Sequence, residues 1–225
     1  FNDSTRAIGA LLPLLIAADI LSVWHHWGKW DKPNLKSLSI GTAVGIVAGT
    51  LILAWLIRDG QAGTDQAEGP LKLIIGIICI GYVLLDRLKA RFIQQWHIPR
   101  NHLTGTIAGG AVGITTTLAH AAGPIAAIYL LGQGLAKNKF IGTAVIYFFT
   151  INVVKLIPYS MLGLIRTELI WTGLWLIPGI PVGTWLGARL NHIMSEGIFR
   201  GIILFIVFLT GVQFTIGLNP MQWFG

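Results

Sequence analysis

The chain has 225 residues, of which 54% are apolar and only 11% are charged, and its formal net charge is +7. This composition excludes an ordinary soluble domain and indicates a protein with several membrane-spanning helices. The basic residues lie in short loops between apolar runs, so they argue against a nucleic-acid partner and for an orientation bias in a lipid bilayer.

Six apolar runs are long enough to cross a membrane, which takes roughly 20 residues in helical form. They predict an all-α polytopic membrane protein. Cys79 is the single cysteine and lies within a run, so we expect neither a disulfide framework nor a cysteine-based metal site. The runs, in chain order, are about 7–24, 38–57, 71–85, 140–157, 170–186 and 199–216.

A seventh apolar element, 105–135, is longer than one span needs and is interrupted by a histidine and a Gly-Pro pair. Backbone broken at membrane depth must be buried in protein or line a wet cavity. Pro124 suits the first turn of a new helix, and we expect Gly123 to supply the backbone freedom at the break. A half-helix N-terminus inside a membrane is an anion site, so this element predicts a transport site formed by His120, Ala122, Gly123 and Pro124.

The charges of the loops predict how the broken element crosses the membrane. If 105–135 is a re-entrant hairpin, eleven Lys and Arg residues lie on one face and four on the other, whereas a single crossing gives eight against seven. The positive-inside rule therefore favours the hairpin, with the first loop cytoplasmic and the C-terminus outside.

The two halves of the chain resemble each other. Segments 17–20 and 150–153 occupy corresponding positions in the two halves, each in a span followed by a short loop. The next span of each half carries a face of small residues, 44–49 and 182–187, which allows close helix approach. We therefore predict a first repeat at 1–90, a cytoplasmic loop at 91–103 and a second repeat at 104–225. The second repeat comprises a hairpin at 104–135 and spans at about 140–162, 168–189 and 198–217.

The first repeat has three spans but no broken element ahead of them, so we expect its N-terminal hairpin to be missing from this chain. A hairpin plus three crossings is an odd number of passages, which makes the repeats inverted. Inverted repeats with paired broken helices are typical of secondary transporters.

Intramembrane polar residues are costly and usually functional, which makes several of them candidates. His120 fits either a structural histidine bonded to a backbone carbonyl, an oxyanion ligand or a coupling group. Lys155 fits either a lysine snorkelling to the membrane surface or a cation in the substrate path. Asn152 shares its helix face and binds either a neighbouring helix or the ligand.

Two further candidates complete the predicted site. Asp19 lies alone in an apolar run, with Asn152 as its counterpart in the second repeat, and fits a proton carrier, a partner for Lys155 or a structural hydrogen bond. An acidic group opposes an anion unless protonated or paired, so coupling suits Asp19 better than binding. Tyr129 follows the break and fits either hydroxyl donation to an oxyanion or aromatic packing.

The chain resembles the sulfite exporter TauE/SafE family along nearly its whole length. The resemblance is strongest from His120-Ala121-Ala122-Gly123-Pro124 through 140–144 to 152–159, and it includes 12–19 in the first half. It implies a bacterial inner-membrane transporter that exports sulfite or an organosulfonate. It also implies a Gly-rich N-terminal hairpin, which we expect to be missing from this chain together with the site residues that it contributes.

Two alternatives remain beside a secondary transporter. An anion channel on the same hairpins is hard to distinguish by sequence. A membrane metalloenzyme would use His25, His26, His97 and His102, but a di-iron site needs more nitrogen and oxygen ligands than these. We expect no enzymatic activity, no cofactor and no metal. The expected partner is a small anionic substrate, with proton coupling and homo-oligomerisation as further options.

Overall fold

The structure, a computed structural model, describes residues 3–58, 65–92, 101–165 and 179–216. Within these ranges the chain forms eight α-helices and no strand. In the part of the chain that the structure describes, each apolar run predicted to span a membrane coincides with a helix; residues 170–178 of the fifth run lie outside the described residues. The helices are α1 Asp3–His25, α2 Lys32–Arg58, α3 Asp65–Phe92, α4 His102–Ala119, α5 Gly123–Gly132, α6 Lys137–Met161, α7 Gly179–Ile193 and α8 Glu196–Ile216.

Three stretches within these helices are long and apolar enough to cross a membrane on their own: Lys32–Trp55 in α2, and all of α6 and α8. Their outward surfaces carry large exposed apolar side chains such as Val44, Val154 and Phe205. Exposed side chains of this size on several helices are what a lipid-facing surface requires. The fold is that of a helical membrane protein, as the composition predicts.

The closest helix pair is α2 with α4, which run parallel. A Cβ on Gly41 would overlap the carbonyl oxygen of Thr106, and a Cβ on Gly45 would overlap that of Gly110. Further along, Gly49 faces Thr117. Backbones in such close contact need small residues at the interface, which confirms the small-residue face of α2 as a packing surface. Because Gly49 lies two thirds of the way along α2, α4 ends well past the middle of that helix.

Two other pairs run antiparallel. In α3 and α8, Gly76 packs against Gly211 and Asp86 pairs with Arg200 at the far end of the contact. In α1 and α6, Asp19 in the second half of α1 bonds to Asn152 in the second half of α6. The loop after α1 docks on the first turns of α6, where the Asp31 N–H donates to Thr143 Oγ1 at 2.8 Å.

One end of the molecule collects most of the basic residues. There the start of α6 meets the turn between α7 and α8: the Lys137 N–H donates to the Glu196 carboxylate, and the Lys137 ammonium donates to the carbonyl oxygens of Asn191 and Met194. Each charge stabilises a helix end of opposite sign. Arg100 and Arg166 lie outside the described residues. The residues at or near this end are Lys29, Lys32, Lys36, Arg87, Lys89, Arg91, Lys137, Lys139, Arg189 and Arg200.

The broken element begins and ends at this basic end. The first turn of α4 lies beside the start of α2, where Ser37 Oγ and His102 Nδ1 are 3.0 Å apart. The second arm, α5, folds back along the first, because the Tyr129 hydroxyl lies against Gly105 near the start of α4. The chain then enters α6 beside the loop after α1. The two arms therefore form a helical hairpin whose tip lies inside the bundle.

Candidate functional site

The tip of the hairpin is a three-residue break between α4 and α5. His120 adopts the left-handed conformation with φ 50° and is the only non-glycine residue with positive φ in the described chain. Its N–H remains bonded to Thr116 O at 3.2 Å, and the Ala121 N–H bonds to Thr115 O. A left-handed residue is the common way to end a helix, and a histidine there is strained relative to glycine.

The prediction that Gly123 supplies the backbone freedom at this break is wrong. Gly123 does not have a positive φ, and a Cβ built on it would contact nothing within 4 Å. It begins α5, with Pro124 in the first turn as predicted and Ala122 as the N-cap without a side-chain cap. The first N–H groups of α5 thus lack a capping side chain, and there is open space beside Gly123, where a Cβ would lie.

α6 covers the carbonyl end of α4. The Lys155 ammonium donates to Thr116 O and to Thr116 Oγ1, both at 3.0 Å. One turn later the Tyr159 hydroxyl donates to Thr117 O at 2.8 Å. Residues four apart lie on one helix face, so one face of α6 binds the last carbonyl groups of α4. Pro158 lies between the two donors, in the last turn, and α6 continues to Met161.

Lys155 does not snorkel to the surface. Its side chain is 0% exposed, and its nitrogen lies 5.3 Å from the centre of the Tyr159 ring, within range of a cation–π interaction. An ammonium has three donors, and Thr116 accepts two hydrogen bonds from this one. Burying a lysine without a carboxylate partner costs free energy. This cost indicates that the ammonium has a role where it lies, at the carbonyl end of α4.

His120 is not a histidine satisfied by a backbone carbonyl. Both ring nitrogens are buried and neither has a hydrogen-bond partner. The ring lies 6.1 Å from that of Tyr159, centre to centre. Leaving buried polar atoms unpaired costs about 1–3 kcal/mol each. An imidazole in this condition is a donor or acceptor available to a molecule that enters the break.

Asp19 and Asn152 form one unit beside this cluster. The Asn152 side-chain amide donates to Asp19 Oδ2 at 2.7 Å and links α1 to α6. Of the roles open to Asp19, the structure thus shows a hydrogen bond that links two helices rather than an ion pair with Lys155. Asn152 precedes Lys155 by three residues on the same face of α6, so the pair lies about one turn from the ammonium.

Tyr129 is not brought together with these residues. Its hydroxyl donates to Asn34 Oδ1 at 2.9 Å, beside Gly105. Gly105 is eleven residues from Thr116, or about 16 Å along α4 at about 1.5 Å per residue. The hydroxyl therefore lies toward the basic end of the hairpin, where it joins α5 to α2.

The histidines of the metalloenzyme alternative do not form a cluster where they are described. His25 and His26 are in edge-to-face contact, His102 bonds to Ser37, and His97 lies outside the described residues. Across the described ranges, no group of three His, Cys, Asp or Glu side chains is arranged to hold a metal ion.

Three participants in the site were missed from the sequence: Thr116, Thr117 and Tyr159. The run Thr115-Thr116-Thr117 just before the break was a signal for the first two. The last carbonyl groups of a helix that ends there have no partner within the helix. Tyr159 four residues after Lys155 was the second signal. The site therefore depends on main-chain oxygens of α4 as well as on side chains.

The family model described as Sulfite exporter TauE/SafE matches residues 2–214, which include the break, α6 and the first-half helices. Neither a curated protein nor a solved structure matches the chain.

Proposed function

The chain belongs to the sulfite exporter TauE/SafE family, a family of membrane transporters, and from this premise we propose that it is a secondary transporter exporting sulfite or an organosulfonate by alternating access. The observation that carries the proposal is the broken helical hairpin with a buried ammonium at its tip. No catalytic constellation is needed, since anion binding takes only converging N–H dipoles and one or two cationic donors.

The anion site in this proposal is the N-terminus of α5. Its first N–H groups and positive dipole end attract an oxyanion, and the unpartnered ring nitrogens of His120 adjoin it. Lys155, whose ammonium uses two of its three donors on Thr116, is the proposed cationic partner of the same anion. Ala122, Gly123 and Pro124 form the edge by which the anion approaches the backbone. Tyr129 is left out, because its hydroxyl is bonded to Asn34.

The proposed orientation has the basic end in the bacterial cytoplasm and the hairpin re-entering from that side. Ten Lys and Arg residues of the described chain lie at or near that end, against Arg6, Arg58 and Lys72 near the other. Cytoplasmic loops are enriched in Lys and Arg. The first loop is then cytoplasmic and the C-terminus external, in the inner membrane.

Two contacts support the inverted repeat. Asp19 and Asn152 are counterparts in the two halves and bond to each other, and Gly76 and Gly211 pack reciprocally in antiparallel helices. Asp19 and Asn152 are 133 residues apart in the chain, and Gly76 and Gly211 are 135 apart. Counterparts that touch each other lie on a two-fold axis, as inverted repeats require.

The same symmetry supports a packing site for a second hairpin on α7. Gly183 corresponds to Gly45, which packs against α4, yet a Cβ on Gly183 meets nothing within 4 Å. We propose that a hairpin equivalent to α4–α5 packs there in a polypeptide that carries one. Gly183→Ala should then lower the thermal midpoint of that polypeptide, whereas the midpoint of residues 1–225 alone should stay the same or rise. Equal changes in the two would contradict this packing site.

Alternating access in this proposal rocks the two repeats against each other across the Asp19–Asn152 contact. Asp19 and His120 are the proposed carriers of a coupling proton, since both are ionisable groups among membrane helices, which usually marks a relay.

We expect sulfite to stabilise the purified protein against heat, because a ligand that binds only the folded state raises its free energy of unfolding. His120→Ala should weaken that effect about tenfold in sulfite concentration, the equivalent of about 1.4 kcal/mol. Thermal unfolding in detergent with sulfite, methanesulfonate and acetate measures it. His102→Ala is the matched control, since His102 bonds to Ser37 at the basic end. Equal stabilisation of the His120 variant and wild type would contradict this site.

A further inference from the structure

The carbonyl end of α4 lies inside the bundle, and its charge must be balanced there. A helix C-terminus carries about half a negative charge on its last carbonyl groups. In α4 these groups include Thr116 O and Thr117 O, which bind Lys155 and Tyr159. Tyr159 contributes a neutral hydroxyl. Lys155 contributes a cationic side chain at this end of the helix.

Lys155 is paired with oxygens that carry no formal charge. Its acceptors are a main-chain carbonyl and a threonine hydroxyl, and in the described part of the chain no carboxylate forms an ion pair with it. Buried lysines are normally paired with acids. A cation bonded to one main-chain oxygen and one hydroxyl oxygen at a half-helix C-terminus resembles the sites in which broken membrane helices hold a small coupling cation.

We propose that Lys155 is a built-in counter-cation, occupying the place at the carbonyl end of α4 that a free alkali or alkylammonium ion would otherwise fill. With α4 neutralised, the positive end of α5 is no longer opposed by the negative end of α4 and can attract an anion. The identity of that anion rests on the proposed function, whereas the cation site does not.

Lys155→Ala tests the proposal by chemical rescue. The substitution removes three methylenes and the ammonium, which n-propylammonium replaces in shape and charge. Against choline chloride, n-propylammonium chloride should raise the thermal midpoint of the variant by about 5 °C at saturation and leave wild type unchanged. Sodium chloride should give a smaller rise, through Thr116 O and Thr116 Oγ1.

Lys155→Met is the matched control, because it fills the space without charge and should show no response to either cation. Propanol, which has the shape without the charge, should not rescue Lys155→Ala. If Lys155→Ala is too unstable to purify, the comparison is made on the yield of monodisperse protein extracted with each additive. Equal responses of the alanine and methionine variants, or no response of Lys155→Ala to any cation, would overturn the proposal.

These measurements do not involve a transported substrate, so they stand even if sulfite is not transported. For transport itself, a resident cation removes the need for a free one. Sulfite exchange by wild type should therefore run at the same rate in sodium, potassium and choline salts. A rate that requires one alkali cation would overturn the counter-cation role.

Discussion

Lys155→Met is expected to lower the rate of sulfite exchange at low substrate concentration by about tenfold to a hundredfold. A hydrogen bond from a charged donor contributes about 1.5–3 kcal/mol, and each 1.4 kcal/mol is about a factor of ten. The variant should remain folded, because methionine fills the buried space and Thr116 O still accepts the His120 N–H. Losing the ammonium also removes the cost of burying it.

Exchange of labelled sulfite in proteoliposomes measures this effect, with protein recovery and thermal midpoint recorded for each variant. Lys139→Met is the matched control, since Lys139 is exposed at the basic end and its loss should change exchange less than twofold. A folded Lys155→Met protein that exchanges sulfite as fast as wild type would remove Lys155 from the transport path.

Gly45→Ala is expected to destabilise the packing of α2 on α4 strongly. The new Cβ would overlap the carbonyl oxygen of Gly110 and lie 2.9 Å from the Cα of Gly113. Both are main-chain atoms, so no side chain can rotate away, and α2 must separate from α4. Overpacking of this kind costs about 1–3 kcal/mol, which for a chain of this size lowers the thermal midpoint by about 3–10 °C.

The matched control is Gly183→Ala in residues 1–225. A Cβ there contacts nothing within 4 Å, and alanine is the better helix former by about 1 kcal/mol. Its midpoint should equal or exceed that of wild type when unfolding is followed by tryptophan fluorescence in detergent. A Gly45→Ala midpoint no lower than that of the control would show that α2 and α4 are not packed backbone to backbone.

The spans and the helix break could be read from the sequence because each depends on local chemistry. Long apolar runs must form helices in a membrane, and Pro124 starts a helix wherever the chain is broken. A structural hydrogen bond was one of three roles open to Asp19 from the sequence, but Asn152 was not predicted as its partner.

The contacts of the site itself depend on long-range packing and could not be read in this way. Nothing near Lys155 in sequence indicates that its ammonium binds Thr116, 39 residues earlier. Gly123 had the more permissive backbone, yet the left-handed position falls on His120, three residues earlier, because α4 ends there. Tyr129 follows Pro124 closely, but five residues of helix carry it away from the break.

Counterflow of sulfite tests most directly whether the protein is a carrier that transports an anion. Proteoliposomes containing the purified protein are preloaded with unlabelled sulfite and diluted into labelled sulfite, beside protein-free vesicles and vesicles preloaded with acetate. A carrier gives transient, saturable accumulation of label that depends on the preloaded sulfite and that organosulfonates inhibit. Uptake no faster than in protein-free vesicles, from protein verified as folded, would contradict sulfite transport, and rapid unsaturable flux without accumulation would indicate a channel.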